Sequence, residues 1–388
     1  MIRTIHPVGQ GAFYTERFYI DSNSIYTIIY DCGSSTPFSG HGQLIDSEIT
    51  QTFDEGEKIT AIFISHFHKD HINGIKKLLE YCNVKYVFLP VLTNESKLLL
   101  IAYENNKEIL KFINNPSEYI NDINPETKII FIEEENLEEQ NNQKDSIEQR
   151  KEIFYLDEDY RKTSEHIKSG TKITASYLKG IWEYIPYNLR YADLHSKIIG
   201  EYSKLGLSIP KDDLINIDYI KLEEARKVFD SVIKSDKNKN INSMVLYSGS
   251  VAPQKWFCEA IITSHCNFIL NYFFDRYYYR PFKTGCLYLG DYNLNRKDAF
   301  ELLKEKYHCV QNNITLIQIP HHGSKHNFDE RICLEFDKPK IFFISAGEKN
   351  KYRHPSCTVI EKIFYSHNCV CLVTENKSSA IQFLYEHY

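Results

Sequence analysis

The sequence lacks several features that would place it in common functional classes. Its ten cysteines form no Cys-x-x-Cys pair and no finger-like set, which argues against a zinc finger or a disulfide framework. No stretch reaches the roughly 18 apolar residues of a membrane helix, and the opening MIRTIHPVGQ has no apolar signal core. Walker-type phosphate loops and serine nucleophile elbows are also missing. We therefore expect a cytoplasmic protein that makes no membrane contact.

The composition is that of an ordinary globular protein with a modest negative charge. Hydrophobic residues make up 42% and charged residues 25% of the 388 residues, so the chain can bury a large core without disulfide bonds. The net charge is −6, whereas proteins that bind nucleic acid are more often basic. An acidic average still permits a local basic groove, and bound divalent cations add positive charge that a residue count omits.

The chain divides into three parts of different character. Residues 24–30 and 60–65 are short apolar runs bounded by turn signals, which predict strands in the first third. Residues 92–239 show mostly helical patterns, include the very polar stretch 133–152 and carry no catalytic constellation. We interpret them as a largely helical insertion that shapes substrate access or binds a protein partner. The last third again predicts short strands, at residues 243–247, 286–289, 314–319, 340–344 and 369–373.

Three histidines and an aspartate fall within six residues at the exit of a predicted strand. They are His66, His68, Asp70 and His71, in the order HxHxDH. Imidazole and carboxylate groups are the usual ligands of zinc and related divalent ions. A tight loop after a strand lets His66 and His68 project to one side and turns Asp70 and His71 toward a second site, while Gly74 lets the chain pass closely. A chance cluster on a surface loop is the alternative, and the position directly after an apolar strand argues against it.

This motif and three further segments resemble the metallo-β-lactamase superfamily. HxHxDH is its signature, and Asp31 in YDCG is similar to the acidic residue that braces the metal loop. Asp291 in GD is similar to the aspartate that bridges both metals, and His321 and His322 in HHGS resemble the final histidine ligand motif. The resemblance implies an α/β fold, the four-layer αββα sandwich, as a single domain over residues 1–388 with the insertion inside it.

Further features narrow the resemblance to the cytoplasmic domain of the ComEC/Rec2 DNA-uptake proteins. Features similar to that branch are Gly9-Gln10-Gly11, the strand entry Asn242-Ser243, the ordered GD and HHGS segments, and the segments 345–350 and 352–356. The resemblance covers residues 1–90 and 240–388 and leaves the insertion out. Ala12 stands where the branch usually carries aspartate, and the sequence has no membrane channel, so DNA transport itself is not expected.

The resemblance implies two divalent ions, zinc or manganese, with seven candidate ligands. The first ion would be held by His66, His68 and Asp291. The second would be held by Asp70, His71, Asp291 and one histidine of the pair His321 and His322. The third histidine that the superfamily usually places on the first metal has no obvious match, and Ser243 or Asn242 occupies that region.

Two bound ions favour hydrolysis. A water shared by two cations has a lowered pKa and can attack a phosphorus or carbonyl centre. Asp70 is a candidate to orient this water. His354 is a candidate proton donor or phosphate contact, although a structural histidine before a proline is an equal alternative. Lys325 and Arg353 are candidate phosphate contacts, and ordinary loop residues are the alternative interpretation.

An aromatic and basic stretch at residues 272–283 is a candidate surface for single-stranded nucleic acid. It places Arg276 and Arg280 among tyrosines and phenylalanines, and stacking combined with positive charge binds unpaired strands. A buried element whose cations reach the surface is the alternative interpretation.

The leading functional hypothesis is a metal-dependent phosphodiesterase, specifically a nuclease that acts on DNA. The resemblance supplies DNA as the partner, and also a setting in defence against foreign DNA, whereas the residue chemistry supplies only hydrolysis. A hydrolase of a small molecule such as a cyclic nucleotide, lactone or thioester is the second hypothesis. The third is a non-catalytic module that binds a protein partner through the insertion.

Overall fold

The computed structural model describes residues 1–20, 24–39, 42–135, 153–157, 164–190, 192–207, 219–233, 242–252, 255–262, 283–336 and 340–387. The strands in chain order are β1 Ile2–Ile5, β2 Gly11–Tyr19, β3 Ile25–Ser34, β4 Lys58–Phe63, β5 Asn83–Pro90, β6 Lys128–Ile132, β7 Ile153–Tyr155, β8 Ser164–Ile167, β9 Lys172–Thr174, β10 Trp182–Arg190, β11 Asn242–Ser250, β12 Trp256–Ile262, β13 Gly285–Tyr288, β14 Ile314–Gln318, β15 Ile341–Ser345, β16 Cys369–Val373 and β17 Ile381–His387. The helices are α1 Leu44–Thr52, α2 Lys69–Ile72, α3 Ile75–Tyr81, α4 Asn94–Tyr103, α5 Lys107–Asn114, α6 Pro116–Ile123, α7 Ala192–Lys204, α8 Tyr219–Ile233, α9 Ala299–Lys306, α10 Arg331–Leu334 and α11 Cys357–Tyr365. In these ranges, no helix combines the length and the apolar character needed to cross a membrane.

The strands form two mixed sheets. The first has the order β12-β17-β1-β2-β3-β4-β5-β6-β8, and the second has the order β16-β15-β14-β13-β11-β10-β9-β7. From β3 to β8 the neighbours in the first sheet are parallel, as are β13 to β16 in the second. The carboxyl ends of parallel strands lie at one edge of a sheet, which is where ligands bind in such folds.

Successive side chains of a strand point to opposite faces of its sheet. The apolar residues therefore divide between the core between the two sheets and the core beneath the helices. On β4, Ala61 and Phe63 lie in the core between the sheets, whereas Ile62 belongs to the core beneath the helices. On β11, Leu246 lies between the sheets and Val245 lies beneath the helices. Helices α1 and α3 pack on the first sheet and α11 packs on the second. The arrangement confirms the predicted metallo-β-lactamase-type sandwich.

The segment 92–239 differs from the expected helical insertion. Its described residues include α4 to α8, but they also include β6 to β10. Strands β6 and β8 extend the first sheet, and β7, β9 and β10 extend the second. The segment therefore also contributes to the core, because alternating side chains such as Trp182 and Tyr184 place β10 in the core between the sheets.

A buried ion pair lies between the two sheets. Arg3 on β1 donates from Nε to Glu16 on β2 at 2.7 Å, and the Arg3 side chain is fully buried. The remaining guanidinium nitrogens donate to Tyr385, to the carbonyl of Thr284 and to Ser248. Hydroxyl groups of the second sheet also donate to Glu16, from Tyr184, Ser248 and Tyr288. Every strand that supplies one of these groups is fixed relative to the others.

Replacing Arg3 by methionine should lower the free energy of unfolding by about 3–5 kcal/mol, because Glu16 would remain as an uncompensated buried charge. Urea denaturation measures the change. Lys204→Met is the control, since it removes an exposed ion pair with Glu201 and should cost less than about 1 kcal/mol. Equal losses in the two variants would contradict a structural role for the buried pair.

Candidate metal centre

Loops from both sheets meet at one edge of the sandwich. The chain leaves β4 directly into the HxHxDH loop, whose last residues form the short helix α2. Asp291 follows β13, and the His321-His322 pair follows β14. The sheet topology therefore delivers all the predicted metal ligands to the carboxyl ends of strands.

Asp291 lies at the centre of the histidines. Its Oδ1 is 3.3 Å from Nε2 of His71, and its Oδ2 is 3.4 Å from Nε2 of His66. The same Oδ2 lies 3.8 Å from Nε2 of His321 and 3.9 Å from Nδ1 of His68. Asp291 is buried, so one carboxylate reaches four imidazole rings away from bulk water.

Asp70 and His322 form a second group on the other side of His71. Nε2 of His322 is 3.1 Å from Oδ2 of Asp70. The potential ligand atoms of Asp70, His71 and His322 lie within 4.8 Å of one another, as do those of His66, His71 and Asp291. The two groups are adjacent, and His71 belongs to both.

The ring nitrogens that face away from the centre are held by hydrogen bonds. Nδ1 of His71 donates to Oδ2 of Asp31 at 2.7 Å. Ser65 donates its hydroxyl to the same oxygen, so it can accept from Nδ1 of His66 at 2.8 Å. With Nδ1 protonated in both rings, Nε2 presents a lone pair to Asp291.

The histidine pair after β14 is oriented in the same way. Nδ1 of His322 donates to the carbonyl oxygen of Ser345 at 2.8 Å, and Nδ1 of His321 donates to Oδ1 of Asn327 at 3.0 Å. Asn327 is itself fixed, because its amide donates to the carbonyl oxygen of Asp291. Both Nε2 atoms therefore point toward carboxylates, His321 toward Asp291 and His322 toward Asp70.

These donors fit divalent cations. Among the described residues, Nε2 of His66 and Nε2 of His71 are buried and find no hydrogen-bond partner of acceptable geometry. Buried polar atoms almost always have a partner, and a lone pair aimed at a carboxylate is stabilised by a cation placed between them. The residues present therefore suit a metal, and they offer nitrogen and carboxylate oxygen ligands of the kind that zinc and manganese accept.

The electrostatics of the centre point in the same direction. Burial and the neighbouring His71 lower the pKa of His66 to about 3, which keeps it neutral as a ligand must be. Burial opposes charge on His71, but Asp31 and Asp291 raise its pKa well above the usual value, because the two carboxylates favour a positive charge that either a proton or a cation on Nε2 can supply. Burial would also raise the pKa of Asp70, yet the hydrogen bond from His322 and the nearby imidazoles lower it. Three carboxylates thus create a site that favours positive charge.

Close backbone contacts hold the loops together. A Cβ added to Gly33 would lie 2.5 Å from the backbone of Asp70, so only glycine lets β3 approach the metal loop. Gly290 has a φ of +53°, and an added Cβ would lie 2.7 Å from Cβ of Ser65. Asp31, His321 and His322 also have positive φ, at 56°, 50° and 55°. Strained backbone of this kind persists where the surrounding contacts fix it, commonly at functional sites.

The remaining predicted residues lie around this centre or outside the described ranges. Ser243 is buried beside Gly290, near the metal loop. The His354 ring is 5.8 Å from that of His321, and Lys325 and Arg353 are exposed residues close in sequence to these two histidines. The other two candidates for substrate binding, Arg276 and Arg280, lie outside the described residues.

Several residues that hold the site were not predicted from the sequence. Ser65 orients His66, and Asn327 orients His321. The side-chain amide of Asn350 donates to the carbonyl oxygen of His354 and accepts from the backbone N–H of the same residue. Serine and asparagine are common in loops, so their identity alone gave no signal. Their proximity to the histidine motifs in sequence is the only indication that could have been used.

This chain is similar to a known protein family and to a known phage protein. Residues 19–95 match the metallo-beta-lactamase superfamily, a range that includes Asp31 and the HxHxDH loop but not Asp291. The Anti-Pycsar protein Apyc1 of Bacillus phage BSP38 is 33% identical over 82 residues, which cover 20% of this chain and 28% of the phage protein. The chain thus matches just over a quarter of that relative. The finer resemblance to the ComEC branch stays a prediction.

Asp31 is expected to control metal affinity although it is not among the ligands. Asp31→Ala should weaken divalent metal binding by about 10–100-fold, because His71 loses the partner that fixes its tautomer and orientation. Calorimetric titration with Mn²⁺ or Zn²⁺ measures the change, and thermal melting checks the fold. The control is Asp122→Ala, an exposed carboxylate on α6. Unchanged affinity in the folded Asp31 variant would show that the brace is not needed.

Proposed function

We propose that this protein is a metal-dependent phosphodiesterase with two divalent cations, zinc or manganese, in its active site. The observation that carries the proposal is the convergence of oriented histidine nitrogens on two carboxylates, Asp70 and Asp291. The similarity of residues 19–95 to the metallo-beta-lactamase superfamily supports hydrolysis as the reaction class. The cations would be held by His66, His68, Asp70, His71, Asp291, His321 and His322.

The chain's own residues would prepare the site for attack. Paired cations supply an activated water and stabilise the charge that develops on the substrate. Asp70 lies at the more exposed side of the centre, where it can accept a hydrogen bond from that water and orient it. Asp31, Ser65 and Asn327 keep the imidazoles fixed, so the site needs little reorganisation when the substrate binds.

His354 would contact the substrate as a neutral ring. Burial and the adjacent His321 and His322 lower the pKa of His354 to about 4, so it is uncharged near neutral pH. A neutral imidazole still donates one hydrogen bond, and the position next to His321 suits a phosphate oxygen. Asn350 clamps the backbone on both sides of this residue and holds the ring in place.

DNA is the first candidate substrate. It follows from the ComEC-like order of motifs, and an accessible centre is compatible with a polymer, since the side chains of His68 and His321 are 30% and 27% exposed. A cyclic nucleotide is the second candidate, and the similarity to the phage Anti-Pycsar protein favours it. Both substrates present a phosphodiester to the same chemistry. A protein partner bound by residues 92–239 is a separate proposal.

The activity is tested with single-stranded DNA, double-stranded DNA and cyclic nucleotides, each in Mn²⁺ and in Zn²⁺. Asp291→Ala and Asp70→Ala should lower the rate by at least about 100-fold, since loss of a ligand exceeds the loss of a group that only orients one. Asp122→Ala should retain full activity. Failure of the unmodified protein to cleave any of these phosphodiesters in either metal would refute the proposal.

His354→Ala should lower kcat by about 10–100-fold, the worth of one hydrogen bond to a charged group, without changing the bound metal. The comparison uses a preferred substrate and a p-nitrophenyl phosphodiester, whose leaving group needs no proton. A contact to phosphate predicts equal losses on the two substrates. A loss confined to the preferred substrate would identify His354 instead as the proton donor to the leaving group.

A further inference from the structure

A small cavity opens beside His68 on the edge of the metal centre. Its volume is about 130 Å³, and it lies between the HxHxDH loop and α4. The walls include Phe67, Leu99, Leu100 and Tyr103. The polar groups at its boundary come from His68 and Glu104. Both the metal loop and the segment 92–239 therefore contribute to this cavity.

We propose that this cavity is the subsite for one unpaired nucleobase of the substrate. The inference rests on the proposed phosphodiesterase activity and specifies which part of the substrate the protein recognises. His68 connects the cavity with the metal centre, because its Nδ1 lies 3.9 Å from Asp291 and the same residue lines the cavity. A base held there places its own phosphate next to the metal centre.

The volume decides what the cavity can hold. An enclosed apolar cavity of about 150 Å³ in another protein accommodates benzene. The present cavity, of about 130 Å³, is open on one side, so it suits a single ring of pyrimidine size whose substituents extend toward the opening. A base pair does not fit. The substrate is therefore a mononucleotide or a single strand rather than an intact duplex. The same subsite would recognise the base of a cyclic nucleotide and the base of single-stranded DNA.

The lining matches the surface of a base. Leucine and phenylalanine side chains bury the faces of the ring, and an aromatic residue such as Tyr103 offers a stacking partner, which sequence-independent nucleic-acid sites commonly use. The Tyr103 side chain is fixed, because its hydroxyl donates to Oδ1 of Asp230 on α8 at 2.6 Å. Helices α4 and α8 thus form a rigid wall rather than a loose flap.

Glu104 gives the subsite a preference among bases. Its Oε1 accepts from the backbone N–H groups of Asn105 and Asn106, both at 2.7 Å, so the carboxylate is fixed at the boundary of the cavity. Carboxylates accept hydrogen bonds from exocyclic amino groups, as from N4 of cytosine, and repel carbonyl oxygens. Cytosine should therefore bind better than uracil or thymine.

The experiment measures the binding of cytidine 5′-monophosphate, uridine 5′-monophosphate and ribose 5-phosphate to the Mn²⁺-loaded protein by calorimetry. The cytidine compound should bind about 10-fold more tightly than ribose 5-phosphate, which lacks the base. Leu100→Trp fills the cavity and should abolish this difference. Ile220→Trp, on an exposed position of α8, is the matched control and should preserve it.

A second variant keeps the test decisive if Leu100→Trp folds poorly. Glu104→Gln leaves the cavity open and should remove the preference for cytidine over uridine 5′-monophosphate. Equal binding of cytidine 5′-monophosphate and ribose 5-phosphate by the unmodified protein overturns the subsite. A base-dependent difference that survives in Leu100→Trp also overturns it. Base-dependent binding without cleavage of any phosphodiester would instead overturn the proposed activity and leave the subsite intact.

Discussion

The buried carboxylate of Asp31 is the interaction on which the metal centre depends. It accepts hydrogen bonds from the backbone and the hydroxyl of Ser65 and from Nδ1 of His71, all at 2.7 Å. A fully buried carboxylate is costly unless such partners surround it, so β3, the exit of β4 and the start of α2 are held in one arrangement. The Ser65 hydroxyl, which donates to Asp31, in turn accepts from Nδ1 of His66 and orients that ring. One residue outside the ligand set thereby orients two ligands.

The polar groups between the two sheets differ from those at the metal edge in how fully they are hydrogen-bonded. Between the sheets, Arg3 and Glu16 are paired with each other and with the surrounding hydroxyl groups. At the metal edge, by contrast, Nε2 of His66 and Nε2 of His71 lie 3.4 and 3.3 Å from the Asp291 carboxylate without a hydrogen bond of acceptable geometry. A fully hydrogen-bonded polar network stabilises the fold, whereas buried ring nitrogens that lack a hydrogen bond suit a bound cation.

The segment 92–239 is part of the core and also lies beside the HxHxDH loop. Because its strands extend both sheets, its helices are anchored to the core and can provide a firm wall beside the metal loop. Arg226 donates to the carbonyl of Ala102 and Tyr103 binds Asp230, which ties α4 to α8. This anchoring fixes α4 beside Phe67 and His68, where it lines the cavity of the proposed base subsite.

The sequence by itself predicted a site of histidine and aspartate side chains and much of the local structure around it. Strands such as β4 and β14 were visible because short apolar runs bounded by turn signals are a local pattern, and HxHxDH, GD and HHGS closely follow such strands. Only the tertiary structure decided how the motifs meet, and it assigned His321 to the side of Asp291 and His322 to the side of Asp70. Strands β6 to β10 and the cavity beside His68 were likewise decided by contacts between residues far apart in the chain. Such contacts leave no periodic trace in a single sequence, because pairing partners and cavity walls are chosen by packing rather than by neighbours along the backbone.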